Sequence, residues 1–248
     1  MSAASVLFAP GHRPDAAAIR VLSGTEEGFS ISLDPTAKPD AAGEPGMQGN
    51  WLELVATGLT FDLGGLAPGP SAERPAMRHA YGLPASVNDQ PFEAIMLRPG
   101  PHLAGGRAML PVVRCLAWLA ARLAVLPGAQ AVAWHPARCW SSPEAFRAGV
   151  LRWIEGGVFP AFNLAALANT ADGALQSEGL ALFTGQELRI EPDLAEDRAA
   201  AAKIALRLLH WLVEYGTVEE PEQLTGPDGE ALRVEPSANG RFVRVWQN

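Results

Sequence analysis

The run from residue 92 to residue 134 constrains the fold most, because two apolar strands there flank one long amphipathic helix. Residues 92–97 and 130–134 have strand character. After the Pro99-Gly100-Pro101 break, Val112, Leu116, Leu119 and Leu123 recur on one face of a helix expected over about 106–126. A strand, a helix and a strand in succession cannot close as a hairpin. The two strands must run parallel, as neighbours or with one strand between them.

Elsewhere the signals are those of hairpins. Residues 174–183 and 186–191 flank Thr184-Gly185, and a last hairpin pairs Leu232 and Val234 with Val243 and Val245 across Ser237-Ala238-Asn239-Gly240. Nearer the start, residues 5–9 suit a strand, and Pro14-Asp15 opens a short helix ending at Gly24. Phe29, Ile31 and Leu33 alternate with Ser30 and Ser32 in a half-buried strand, and residues 51–63 return to strand character. Residues 34–50 read as a mobile surface loop. Residues 68–89 read as a Pro/Gly-rich connection with one helical turn at 76–81. Ser141-Ser142-Pro143-Glu144 has the form of a capping box and starts a helix carrying Phe146, Val150, Trp153 and Ile154 inward. Asp193 caps a further helix with the stripe Ile204, Leu208, Leu212 and Tyr215, closed by Gly216.

Mixing hairpins with one strand-helix-strand unit predicts an α+β fold: a mixed, largely antiparallel sheet with helices packed on one face, partly ferredoxin-like. The composition break at 68–89 suggests residues 1–90 as an N-terminal subdomain with long loops and 91–248 as a C-terminal domain, with one continuous domain as the alternative.

At 48% hydrophobic and 19% charged the chain is of globular type, and its net charge of −8 disfavours nucleic acid and anionic lipid surfaces. Residues 109–126 contain Pro111, Arg114 and Arg122, which fits a buried helix and no membrane span. No basic stretch precedes an apolar run near Met1, and Cys115 and Cys139 form no disulfide framework, so a cytoplasmic location is expected. Only Lys38 and Lys203 of the nineteen basic residues are lysine, a bias that suggests a high-GC bacterial genome.

The candidate site is the segment leaving the strand at Trp134 and entering the helix at Pro143: Trp134, His135, Arg138, Cys139, Trp140, Ser141 and Glu144. Strand ends and helix N-termini favour anions through free N–H groups and the helix dipole. Against this stands the plainer reading of both tryptophans as core and Ser141 as a cap. Cys139 as a nucleophile would need its pKa lowered by His135 and Arg138. Zinc on His135 and Cys139 would lack two ligands, as His12, His79 and His102 have no metal spacing. His210 pairs at helical spacing with Glu214, and Glu178 and Glu187 read as strand-surface glutamates. The common nucleotide, hydrolase and zincin motifs are absent, so no catalytic residue, metal or cofactor is expected.

The stretch Gly179-Leu180-Ala181-Leu182-Phe183-Thr184-Gly185-Gln186-Glu187-Leu188-Arg189-Ile190, then a long helix, Gly216-Thr217-Val218 and a closing strand, resembles an uncharacterised bacterial "domain of unknown function" family. In that family a Gly-Leu strand, a Phe-Gly turn and a Glu-Leu-Glu-like strand precede a helix ending in a Gly-x-Val turn. The resemblance covers about residues 92–246. Phe-Thr-Gly stands for the usual Phe-Gly, and Arg189 for a commoner acidic residue. It implies a cytoplasmic bacterial α+β protein, and relatives beside small immunity-type or regulatory proteins imply a binding role.

The leading expectation is therefore a non-enzymatic protein-binding or immunity/regulatory-type module, its partner surface built from exposed aromatics among the seven Trp. The alternative is a small-molecule, anionic-ligand binding protein or enzyme using the loop 134–144. A third reading has two copies burying their Trp-rich helices as a homodimer.

Overall fold

The computed structural model describes residues 2–25, 28–35 and 51–247, which form two mixed, largely antiparallel sheets and, among these residues, six helices. The fold is α+β. Most of the expected loop 34–50 lies outside the described residues. No helix among them is long and apolar enough to cross a membrane.

The first sheet takes β1 (Ala4–Phe8), β2 (Phe29–Leu33), β3 (Trp51–Ala56), β4 (Leu59–Gly64), β5 (His79–Tyr81), β6 (Glu93–Pro99), β7 (Ala129–Trp134) and β8 (Cys139–Ser141), in the order β2-β3-β4-β6-β1-β7-β8-β5. β1 lies antiparallel between β6 and β7. The strands flanking α2 (Leu110–Leu123) are thus parallel with one strand between them, one of the two arrangements the sequence leaves open. A ferredoxin-like arrangement repeats this split unit; the order here contains it once and does not confirm that part of the expectation. Because β1 sits between β6 and β7, residues on both sides of position 90 share one sheet.

Both faces of β1 are buried, and its one polar side chain, Ser5, is partnered by His135 Nε2 at 2.9 Å. Ala4, Val6 and Phe8 join the main core with Ile19 and Leu22 of α1 (Ala16–Thr25) and Leu116 of α2. Leu7 points the other way, into a second cluster with Ala131, Ala133, Trp140 and Val87. Met77, Leu83 and Phe92 pack over that cluster, which anchors the irregular connection after β4. The helical turn expected at 76–81 is instead β5, parallel to β8. The cause is Arg138, whose carbonyl accepts hydrogen bonds from the N–H groups of Arg78 (2.8 Å) and His79 (3.1 Å).

The second sheet takes β9 (Ala166–Asn169), β10 (Leu175–Glu178), β11 (Glu187–Ile190), β12 (Glu222–Thr225), β13 (Ala231–Pro236) and β14 (Phe242–Gln247), in the order β12-β13-β14-β11-β10-β9. α3 (Pro143–Ile154), α4 (Ala161–Leu164), α5 (Ala181–Thr184) and α6 (Arg198–Tyr215) complete the chain. The inner face of this sheet, with Leu188, Ile190, Val234, Val243 and Val245, shares the main core with Ile204, Leu208 and Leu212 of α6. Each fully buried Val, Ile or Leu contributes about 1.5–3 kcal/mol, and a one-residue slip would exchange the two faces, so this burial holds the register. The opposite pleat carries Gln176, Glu178, Glu187, Arg189, Phe242, Arg244 and Trp246, all partly exposed.

Between β10 and β11 the expected strand at 181–183 is the single helical turn α5. The Glu187 carboxylate produces it by accepting hydrogen bonds from the N–H groups of Gly179 (2.9 Å), Leu180 (3.1 Å) and Ala181 (3.2 Å). α3 is capped by Ser142, whose hydroxyl accepts from the Ala145 N–H, while Ser141 belongs to β8.

Candidate functional site

The strand pairing separates the residues that the sequence groups at 134–144. Residues 135–137 make one tight turn, Arg138 adopts a left-handed backbone (φ 47°), and the chain doubles back so that Trp134 faces Cys139 and Ala133 faces Trp140. Successive side chains of a strand point to opposite faces. Trp134 and Cys139 therefore enter the main core and Trp140 the second cluster. Trp134, Trp140 and Ser141 are 0% exposed and Cys139 2%. Glu144 is exposed on the first turn of α3.

Burial also sets the chemistry of this hairpin. The Cys139 thiol is pushed up to about 11 by desolvation and donates to the Phe162 carbonyl at 3.1 Å, so it stays protonated at neutral pH. The Ser141 hydroxyl accepts from Asn163 Nδ2 at 3.0 Å. Burial lowers His135 to about 4, and its Nε2 lies 2.9 Å from the Ser5 hydroxyl. The exposed tryptophans expected of a partner surface are not found. Trp134, Trp140 and Trp153 are buried, and Trp51, Trp118, Trp211 and Trp246 half-buried. Trp153, Phe159 and Phe183 instead stack edge-on with centroids 5.0–6.0 Å apart. His210 does more than line a solvated face with Glu214, since its Nδ1 accepts the Phe159 N–H at 3.4 Å.

Of the seven residues, Arg138 lines a cleft. It stands beside β9 and β10, with Arg78 across from Asn169, Gln176, Glu178 and Glu187, around a volume of about 420 Å³. Glu178 organises the rim. Its Oε1 accepts from Arg138 Nε, and its Oε2 accepts from His79 Nε2 at 2.9 Å and from Arg78 Nη1 at 3.4 Å. Burial raises the Glu178 carboxyl, but the bonds from Arg138 and His79 outweigh it, and its pKa lies below the ordinary carboxylate value. Close packing brings the two sheets together here. Gly179 (φ 94°) leaves so little room that an added Cβ would stand 2.8–2.9 Å from Ala137.

A second cleft of about 400 Å³ adjoins the first at Gln176, lined by Arg189, Arg244, Phe242, Asp172 and residues 237–239. Glu191 is buried and accepts from Arg189 Nε (3.2 Å) and Arg244 Nε (2.5 Å). Bonds from Thr170 and Arg189 hold the exposed Asp172 carboxyl down at about 2. Arg244 also lies over the Trp246 ring at 4.6 Å. The outer face of the second sheet thus presents Arg189, Arg233 and Arg244, each paired with a carboxylate, and Arg78 and Arg138 from the edge of the first sheet stand beside it, both paired with Glu178. Among the described residues no group of three or more His, Cys, Asp or Glu is placed to hold a metal ion.

Fold and site together define an α+β protein with one open, salt-bridged sheet face. No family model, curated protein or solved structure matches the chain.

Proposed function

We propose that this protein is a non-enzymatic, cytoplasmic protein-binding module of the immunity or regulatory type, and that its recognition surface is the outer face of the six-stranded sheet. One observation carries the reading: two clefts of about 420 and 400 Å³ meet at Gln176 on that face and are edged by arginines already immobilised in ion pairs. Immobilised charges lose less conformational entropy on binding, and alternating signs admit a partner only in one register. The same proposal includes membership of the uncharacterised bacterial family that residues 92–246 resemble.

The test is affinity capture of the tagged chain from its source lysate beside two variants. Gln176→Trp fills the junction of the clefts with a bulky neutral side chain without removing an ion pair, and Arg207→Gln alters the exposed side of α6. The reading expects a near one-to-one companion held by wild type and Arg207→Gln and lost by Gln176→Trp. A companion held equally by all three, or none at all, overturns it.

A further inference from the structure

We infer that Arg138 and Arg78 form a receptor for a side-chain carboxylate from an acidic segment of the partner; the inference rests on the binding-module reading and names the chemistry of its site. Arg138 is held to Glu178 through Nε alone, and among the described residues its two Nη groups make no hydrogen bond. A guanidinium anchored by Nε keeps its terminal Nη pair for a second, bidentate acceptor. Arg78 likewise contacts Glu178 through one Nη only, at 3.4 Å. Both side chains are about half exposed, at 47% and 53%, while Glu178 between them is 19% exposed.

The backbone is pre-set for the task. A left-handed conformation is costly for a non-glycine residue, and the Arg78 and His79 N–H groups hold Arg138 in it through its carbonyl. One carboxylate of the chain is thus already gathered by the same cations, and the cleft beside it offers the Asn169 and Gln176 amides, neither hydrogen-bonded through its side chain among the described residues.

The lining selects the kind of anion. Glu178 and Glu187 share this cleft, so a doubly charged phosphate meets two like charges, whereas a carboxylate brings one charge and the planar geometry of the guanidinium fork. The two cations and two carboxylates of the cleft cancel, so on a chain of net charge −8 an acidic segment is held at contact range by the guanidinium Nη groups and not by long-range attraction.

The experiment titrates the full chain, labelled with 15N-arginine, with the peptide acetyl-Gly-Glu-Gly-amide and separately with inorganic phosphate, following the Arg Nε–H resonances. The expected result is a saturable shift of Arg138 by the peptide, with affinity reduced at least tenfold in Arg138→Gln and in Arg78→Gln. Arg138→Lys should bind between wild type and Arg138→Gln, and Arg207→Gln as wild type, with melting curves confirming that each variant is folded. No saturable shift, phosphate binding as tightly as the peptide, or undiminished binding by folded Arg138→Gln overturns the inference. Loss of the captured companion in Gln176→Trp without peptide binding defeats the carboxylate receptor alone. Peptide binding without any captured companion defeats the module reading and leaves the receptor standing.

Discussion

In the β7–β8 hairpin, Trp134, Cys139, Trp140 and Ser141 are at most 2% exposed, whereas Gln176, Glu178, Arg189 and Arg244 across the six-stranded sheet all reach solvent. Both regions concentrate residue types that bind ligands. The hairpin spends them on packing, its side chains alternating between two cores, and its one thiol and one imidazole are both held uncharged by burial at neutral pH. The sheet face keeps its charges by pairing them. Accessibility of a fixed charge, more than the presence of reactive side chains in a loop, separates a candidate site from a piece of core.

Substitutions should fall unequally on the two regions. Trp134→Ala should cost about 3–5 kcal/mol in denaturant unfolding, while Gln176→Ala at the junction of the clefts should stay within about 0.5 kcal/mol. A small effect at Trp134 would break the comparison. Gly179→Ala, at the seam between the sheets, should cost more than about 2 kcal/mol, since a positive φ and the Ala137 backbone both oppose a Cβ.

His135 should show itself through pH. With its pKa lowered to about 4 in the fold, the unfolded chain carries an extra proton between the ordinary value of 6.5 and about 4. Its contribution is therefore complete above pH 6.5 and lost as pH falls through 4, about 3 kcal/mol in all. Melts of His135→Gln across this range should be flatter than wild type, and an unchanged slope would place the imidazole in water. Glu178→Gln should be milder, about 1 kcal/mol, because the cations it releases are half exposed. The same variant should speed phenylglyoxal modification of Arg138 severalfold, a sharper reading of the pairing than stability.

Much of the architecture was legible because it rests on local patterns. The strand-helix-strand reading anticipates β6, α2 and β7 and leaves open whether a strand lies between them, which β1 does, and the last hairpin forms with Val234 opposite Val245. What escaped depends on distant contacts. β5 exists because Arg138, about 60 residues on, accepts the N–H of its first residue and that of Arg78 just before it, and α5 exists because Glu187 turns its carboxylate back onto three N–H groups. The site escaped for the same reason, since Glu178 meets Arg138 across 40 positions and Arg78 across 100. Arg138 stands out in its loop by sequence, but nothing local links it to Arg78 or Gln176. The two Trp and the Cys around it drew attention to a segment whose alternation across a sheet sends them apart.

The most direct test of the open sheet face as the working surface is arginine footprinting of the full chain in buffer and in its source lysate, read by mass spectrometry. Arg78, Arg138, Arg189 and Arg244 should be modified more slowly in lysate, with Arg207 on α6 unchanged. Equal rates at all five, or protection confined to Arg207, would contradict it.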